Sequence, residues 1–357
     1  MDKYIYEIWL TDVAKAPSYI ERLLDEYKTA EAVYKDKGRK CSFGRNDQAV
    51  HQNLENISLN YAENIIGKCR AENIEIIGKR DFPDYLQNSP VCPLILYAKG
   101  NKELLKMPLI TITGTRKANF EGRENARKFS QILSAAGIGI VTGFADGIEE
   151  TVINSVDKVI SVLPCGLLNP YPKSHYKLIE KIEATGGLAL SPFQPDTKAY
   201  RWNFSLRNKI LAALSESTLI VQAGQHSATS MIFKNCADYS RNCYAIPGSI
   251  DDGYYISTNE FLKNGASLVT SPVDIIEDYG IKYREIALVE EEKKEYFFSD
   301  VQKKIIDAIK DTPISCDKIC QMTGLDIGTV LTEILQLELM DVVARNDEDK
   351  IKLIIKE

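Results

Sequence analysis

The middle of the chain alternates short apolar runs with longer amphipathic stretches. The apolar runs are rich in β-branched residues and lie at 109–113, 138–141, 159–163, 188–190, 219–221 and 243–246. Between them, apolar positions recur at helical spacing, as in 126–136 and 176–182. Apolar strands that alternate with helices form a parallel sheet covered on both faces. We therefore predict an α/β domain over 76–283, an extended Rossmann-like, doubly wound parallel sheet.

The first 75 residues have a different pattern. Their apolar residues fall at helical spacing, and the clearest are Ile5, Ile8, Trp9, Ile20, Leu23, Leu24, Tyr27, Leu54, Ile57, Ala62, Ile65 and Ile66. We predict a small helical domain over 1–75, SAM-like or helix-hairpin-helix-like. A role in packing or dimerisation is as compatible with this pattern as a role in ligand binding.

The C-terminal part begins with a charge-rich segment, 284–296, that is typical of a linker. Three short helices and a β-hairpin are predicted over 297–357, which is the order of a winged helix-turn-helix. The third helix, 327–340, contains Glu333 and Glu338 but neither lysine nor arginine. A recognition helix without cations fits poorly against phosphates, so we favour protein contact for this domain.

Composition sets broad limits. A length of 357 residues suffices for two or three domains. The formal net charge of −6 argues against an overall basic protein, although a local basic groove is compatible with it. Neither an apolar run of about 18 residues nor a signal-peptide pattern is present, so we expect a cytoplasmic protein. The scattered cysteines predict buried thiols rather than a metal site, His175 is expected at the surface, and no cofactor is predicted.

Candidate chemistry gathers in the loops that follow the predicted strands. In an open α/β sheet, ligands bind beyond the carboxyl ends of the strands, near helix N-termini. The candidate phosphate-binding residues in these loops are Gly114, Thr115, Arg116, Lys117, Gly143, Phe144, Gly147, Gly166, Asn203, Phe204, Arg207, Asn208, Ser227 and Thr229. Arg116 can hold phosphate oxygens through two hydrogen bonds, and Phe144 and Phe204 could stack on bases or pack in the core. Neither G-x-G-x-x-G nor G-x-x-x-x-G-K-[ST] is present, which weakens dinucleotide and P-loop hypotheses.

Six motifs follow one another through this domain. They are Gly114-Thr115-Arg116, the run from Gly143 to Ile148, Cys165-Gly166 with Tyr171-Pro172, Asn203-Phe204 with Arg207-Asn208, Ala245-Ile246-Pro247-Gly248-Ser249, and Asn259 with Gly265-Ala266. In this order and at these separations they resemble the bacterial DNA-processing protein A family, DprA/Smf. The resemblance is strong over about residues 80–272. The N-terminal helical region and the C-terminal winged helix resemble the family less closely.

The resemblance implies a function. It implies a non-enzymatic protein that binds single-stranded DNA, forms a homodimer and loads the RecA recombinase on incoming strands during natural transformation. It also implies that Arg116 holds a phosphate, that Gly143 and Gly147 shape the floor of the site, and that Arg207-Asn208 form its wall. Lys158, at the start of the third core strand, matches a basic position of that family, and we expect it to bind DNA on the same rim as Arg116 and Arg207.

The chain also departs from the family. The helix after the second core strand is shortened and lacks the family's histidine, and Glu149 and Glu150 stand where they would repel phosphates. Ser227-Ala228-Thr229 replaces a Ser-Gly-Ser and adds a methyl group. Two alternatives therefore stay open. One is a nucleotide-binding or nucleotide-hydrolysing enzyme with a glutamate as general base, although acids at a solvated helix start explain the pattern more simply. The other is a protein-interaction or sensor protein with a vestigial pocket.

Overall fold

The computed structural model describes residues 3–14, 17–41, 48–225, 227–281, 298–310, 312–340, 342–345 and 350–354. The chain divides into two compact units, Met1–Ala118 with Gly122–Tyr283, and Asn119–Glu121 with Arg284–Glu357. The linker predicted over 284–296 lies outside the described residues. The N-terminal helices and the sheet share the first unit, so a separate domain over 1–75 stays a prediction. Among the described helices, none is long and apolar enough to cross a membrane.

The first unit is built on a sheet that has nine strands within the described residues. In chain order they are β1 (Glu75–Gly78), β2 (Ile95–Gly100), β3 (Leu109–Thr113), β4 (Gly139–Thr142), β5 (Ile160–Val162), β6 (Leu188–Ser191), β7 (Ser217–Ile220), β8 (Asn242–Ala245) and β9 (Ser267–Leu268). Their spatial order is β1-β2-β6-β5-β4-β3-β7-β8-β9. The strands from β3 to β9 are parallel, which confirms the predicted core.

One edge of the sheet departs from the all-parallel prediction. β1 pairs antiparallel with β2, and β2 pairs antiparallel with β6. An antiparallel pair needs no crossover helix, so the chain enters the sheet through this pair before the alternating pattern begins. The close approach of β2 to β6 depends on Gly100, whose φ is +112° and where a Cβ atom would lie 2.2 Å from the carbonyl oxygen of Gly187.

Helices cover both faces of the sheet. They are α6 (Asp84–Gln87), α7 (Phe120–Ala135), α8 (Ile148–Ser155), α9 (Tyr176–Ala184), α10 (Arg201–Leu214), α11 (Thr229–Asp238), α12 (Ile256–Lys263) and α13 (Pro272–Asp278). The strand order runs outward from β3 and β7 in opposite directions. Right-handed crossovers therefore place α7–α9 on one face and α10–α12 on the other. This arrangement creates a switch point between β3 and β7, where doubly wound sheets bind ligands at their carboxyl edge.

The N-terminal helices confirm the helical prediction for the front of the chain. They are α1 (Ile5–Ala14), α2 (Pro17–Tyr27), α3 (Ala30–Asp36), α4 (Gln48–Asn56) and α5 (Leu59–Ala71). Trp9 is fully buried among them and donates its indole N–H to the carbonyl of Ile57 at 2.7 Å. The bundle contacts the loop after β6, where Gln194 donates to Asp12 and accepts from the Tyr61 hydroxyl.

The second unit is a winged helix. It contains α14 (Asp300–Ile309), α15 (Cys316–Thr323), α16 (Ile327–Leu339), and an antiparallel hairpin of β10 (Val343–Arg345) and β11 (Ile351–Leu353). A separate apolar core holds it together, with Ile305, Ile319, Val330 and Ile334 buried in its centre. The predicted hairpin tip, 346–349, lies outside the described residues.

Candidate functional site

The loop after β3 is held firmly at the carboxyl edge of the sheet. The amide of Thr115 donates to the carbonyl of Gln222 at 2.8 Å, and the amide of Ile148 donates to the carbonyl of Thr115 at 3.2 Å. A Cβ atom at Gly114 would lie 2.6 Å from the Ile148 side chain, so only glycine fits at this position of the loop. The side chains of Arg116 and Lys117 project from this fixed loop into solvent.

A buried ion pair lies beneath the rim. Arg207 Nη1 lies 2.9 Å and 2.8 Å from the two carboxylate oxygens of Glu149, and the Thr113 hydroxyl donates to Glu149 Oε1 at 2.9 Å. The two charged side chains are 4% and 6% exposed. A Cβ atom at Gly143 would lie 1.6 Å from Arg207 Nη1, so this glycine makes room for the pair. The hydrogen-bonded network joins β3, α8 and α10, beside the loop that follows β4.

The ion pair corrects two expectations from the sequence. Arg207 is buried and bound to Glu149, so it does not form an open wall for phosphates. Glu149 is buried at the start of α8 and is not solvated. Because Arg207 compensates its charge, Glu149 does not present an unpaired negative charge to the pocket. The sequence could not reveal this pairing, because 58 positions separate the partners.

Phe204 lies between the buried guanidinium and an exposed one. The guanidinium carbon of Arg116 is 4.9 Å from the centre of the Phe204 ring, and that of Arg207 is 5.7 Å from it. Tyr171, which is 48% exposed, meets the same ring edge-on at 6.1 Å. Cation–π attraction therefore helps to hold the Arg116 side chain over the start of α10. The half-buried Phe204 ring and the charge above it form a mixed aromatic and cationic surface.

Phe144 behaves differently from Phe204. It is fully buried and meets the His175 ring edge-on at 5.5 Å. Of the two roles predicted for Phe144, the structure supports packing in the core and contradicts stacking on a base. His175 was expected at the surface, but it is 3% exposed. Its Nε2 lies 3.1 Å from Asp146 Oδ1 and 3.5 Å from Glu150 Oε1. The acids close to this part of the rim therefore interact with a buried imidazole.

The same three residues form a candidate metal site. Asp146, Glu150 and His175 form the one group in the described part of the chain whose ligand atoms lie within 4.8 Å of one another. A metal-bound histidine usually donates its other N–H to an acceptor. His175 Nδ1 is buried without a hydrogen-bond partner among the described residues. The geometry fits a hydrogen-bonded imidazole better than a metal ligand.

Lys158 does not join the rim. It is exposed and precedes β5, so it lies at the amino edge of the parallel strands. Its side chain lies close to Gly186, which precedes β6 at the same edge. The expectation that Lys158 shares one rim with Arg116 is therefore corrected by the topology, because residues that start parallel strands lie opposite those that follow them.

The remaining predicted site residues are mostly structural supports. Gly147 has a φ of +81°, and a Cβ atom there would lie 2.4 Å from the carbonyl oxygen of Thr115. A Cβ atom at Gly166 would lie 2.1 Å from the carbonyl oxygen of Gln194. The side chains buried in the structure are Asn203, Asn208 and Thr229. The predicted residues with solvent-accessible side chains at the carboxyl edge are Thr115, Arg116, Lys117, Phe204 and Ser227.

An open cavity lies at the switch point of the sheet. Its volume is about 630 Å³, and the loops after β3, β7 and β8 line it. Its lining includes Thr115 and Lys117 after β3, Gly224 after β7, and Asp251 and Asp252 after β8. The cavity thus continues the accessible surface of Arg116 and Lys117 and carries both signs of charge.

Cys165, in the loop after β5, is a candidate nucleophile. It is fully buried, and burial raises the pKa of its thiol to about 11. At neutral pH the thiol is therefore protonated, whereas nucleophilic cysteine chemistry uses the thiolate. This cysteine acts as a core residue.

The fold and the residues at the carboxyl edge of the sheet together define a Rossmann-like protein with a winged helix and a cationic, aromatic rim. Residues 73–280 match the model of the family described as DNA recombination-mediator protein A, and residues 297–347 match the DprA winged helix domain. The chain belongs to the DNA recombination-mediator protein A family. The family resemblance inferred from the sequence is thereby confirmed.

Individual relatives agree with this assignment. Protein Smf of Synechocystis is 26% identical over 386 residues, covering 94% of this chain and 95% of its own. The DNA processing protein DprA of Streptococcus pneumoniae is 31% identical, covering 52% of this chain and 67% of its own. The X-ray structure of DNA processing protein A from S. pneumoniae has a TM-score of 0.69 at 25% identity, covering 78% of this chain and 99% of its own.

A further solved structure bears on the ligand. It is a DNA processing protein A from Helicobacter pylori, described as giving insight into a single-stranded DNA binding mode. It has a TM-score of 0.52 at 26% identity, and covers 58% of this chain and 95% of its own.

Proposed function

We propose that this chain binds single-stranded DNA along the carboxyl edge of its sheet and acts as a recombination mediator without catalysing a reaction. The observation that carries the proposal is the exposed guanidinium of Arg116, held 4.9 Å above the ring of Phe204. A cation beside an aromatic ring matches a nucleotide, whose phosphate is an anion and whose base has an apolar face. Lys117 extends the cationic surface along the same loop.

The choice of a single strand rests on the kind of surface present. Aromatic rings can stack only on bases that are not already paired within a duplex. Duplex readers usually place a cationic helix in the major groove, whereas α16 has no lysine or arginine. Its Glu338 accepts from Arg345 at 3.0 Å, and its Glu333 accepts from Gln302 at 2.9 Å. Both hydrogen bonds lie within the winged helix. The lack of cations on α16 is what supports a role of this domain in protein contact.

The proposal of a binding protein rather than an enzyme rests on the groups beneath the rim. The nucleotide-hydrolysis alternative needs a carboxylate that can accept a proton, which would be Glu149 or Glu150. Glu150 Oε1 lies 3.5 Å from Nε2 of the buried His175. Glu149 is bound more completely. Both of its oxygens are bound by Arg207, and one also accepts from Thr113. An acid held in this way stabilises the fold instead of facing a substrate.

The proposed partners follow from the family resemblance. A mediator of this family loads the RecA recombinase on single strands and works as a homodimer. We extend both properties to this chain as part of the proposal, together with action in the cytoplasm, where RecA works.

A titration with a dye-labelled oligonucleotide of about 30 bases tests the proposal. If three cations contact phosphates, affinity should fall about 20-fold between 50 and 200 mM salt, since each such contact contributes roughly −0.7 to the logarithmic slope. The readout is fluorescence anisotropy, with an unlabelled duplex of the same sequence as competitor. Absence of binding at low salt, or equal competition by the duplex, contradicts the proposal.

A further inference from the structure

Two large aromatic side chains at the start of α10 are exposed. Tyr200 is 51% and Trp202 is 62% exposed, and their rings lie parallel, with 6.2 Å between centroids and 3° between planes. We call this pair the aromatic platform. Single exposed apolar residues are common on protein surfaces, but a parallel pair beside a cationic site presents a ring face of defined orientation.

The platform is held in place by its neighbours. Asn203 is fully buried and donates its side-chain N–H to the carbonyl of Lys198 at 3.1 Å, which fixes the turn that leads into α10. Trp202 also meets Phe193 edge-on at 5.9 Å. The two exposed rings are therefore supported from below, and little conformational freedom remains to be lost when a ligand stacks on them.

Charge around the platform favours an anionic, aromatic ligand. Lys198 and Arg201 are exposed and flank Tyr200 in the sequence. The acid in the preceding loop, Asp196, forms an ion pair with Lys68 of the N-terminal helices, which compensates its charge. Interleaved cations and aromatic rings are the surface that single-stranded nucleic acids need, with cations for the phosphates and rings for the bases.

The position of the platform suits a ligand that also reaches Arg116. Phe193 follows β6, whereas Arg116 follows β3, and β5 and β4 lie between these strands at the same edge. Three strand spacings correspond to roughly 14 Å. A single extended strand of a few nucleotides can therefore span both places.

We propose that Tyr200 and Trp202 form a second contact for single-stranded DNA, on which a base stacks a few nucleotides from the phosphate held by Arg116. This inference rests on the proposed function and adds a specific base-binding surface to it. A second copy of this chain is the competing occupant, because exposed aromatic rings also serve protein interfaces.

The chain offers an internal optical probe. It contains two tryptophans, Trp9 and Trp202, and Trp9 is fully buried in the N-terminal bundle. Titration with unlabelled oligothymidylate of about 30 bases should quench the emission of Trp202.

Two variants test the role of the Trp202 ring. Trp202→Phe should abolish the quenching but keep the affinity, since the ring face remains. Trp202→Ala should weaken binding about tenfold. Its thermal stability should match that of the wild type, because the side chain is largely exposed.

A matched control and an assembly measurement separate the outcomes. Tyr85→Ala removes another exposed ring, which packs against Arg241 before β8 at the amino edge, and should leave affinity unchanged. If the wild type binds and Arg116→Ala weakens binding, but Trp202 is not quenched and Trp202→Ala binds normally, the platform is overturned and the proposed function stands. Dissociation of an oligomer by Trp202→Ala, with unaltered DNA affinity, also overturns it. Failure of the wild type to bind overturns both proposals.

Discussion

Replacing Arg207 by alanine is expected to lower the free energy of unfolding by about 3–5 kcal/mol. The substitution leaves the carboxylate of Glu149 buried, with the Thr113 hydroxyl as its remaining partner in the network. An uncompensated buried charge is far more costly than the loss of an exposed ion pair. Urea denaturation followed by circular dichroism measures the change through the midpoint and slope of the transition.

Arg201→Ala is the matched control, since it removes an exposed arginine from the same helix. Its effect on stability should stay within about 0.5 kcal/mol. The double variant Glu149→Leu with Arg207→Met removes both charges and should recover part of the loss, because no charge is left unpaired. A loss below about 1 kcal/mol for Arg207→Ala contradicts the structural role of this ion pair.

Replacing Arg116 by alanine is expected to weaken single-stranded DNA binding about 10- to 100-fold, as is typical when a hydrogen bond to a charged group is lost. Arg116 is exposed, and its guanidinium contacts the Phe204 ring. Stability should therefore change little. Anisotropy titrations at one fixed salt concentration give the affinity, and thermal unfolding checks the fold.

Lys158→Ala is the control for charge alone. It removes one exposed cation from the opposite edge of the same sheet, so net charge changes equally while the proposed DNA path stays intact. Its affinity should remain within about twofold of the wild type, apart from weak long-range effects that salt screens. Equal losses for Arg116→Ala and Lys158→Ala indicate general electrostatic attraction and contradict a defined site at the carboxyl edge.

Much of the fold was predictable because the parallel core has a strong local signal. The runs at 109–113 and 188–190 are buried along their whole length and consist mostly of apolar residues, as is typical of strands covered on both faces. β2 was missed although Ile95–Gly100 begins with four buried residues. β1 and β9 were missed for a reason related to burial. β9 has two residues and both are exposed, while β1 follows directly on a helical pattern and lies at the edge of the sheet. Short edge strands carry too few buried positions to show a period.

The candidate site was predicted less completely, because the burial of a side chain and the edge of the sheet at which it lies depend on the three-dimensional structure. The loop of Arg116 was placed correctly, since a residue directly after a parallel strand must lie at the carboxyl edge. Arg207 was placed in an open wall because its partner Glu149 is distant in sequence. The Tyr200–Trp202 platform was overlooked, although the sequence Lys198-Ala199-Tyr200-Arg201-Trp202 interleaves cations with aromatic rings and carries the signal.

Lysine footprinting of the unmodified protein tests the central claim most directly. An amine-reactive ester labels exposed lysines, and mass spectrometry compares labelling with and without a saturating oligonucleotide. Lys117, beside Arg116 at the carboxyl edge, should be protected by DNA, whereas Lys158 at the amino edge should be labelled equally in both states. Protection of Lys158 with unchanged labelling of Lys117 would contradict the account.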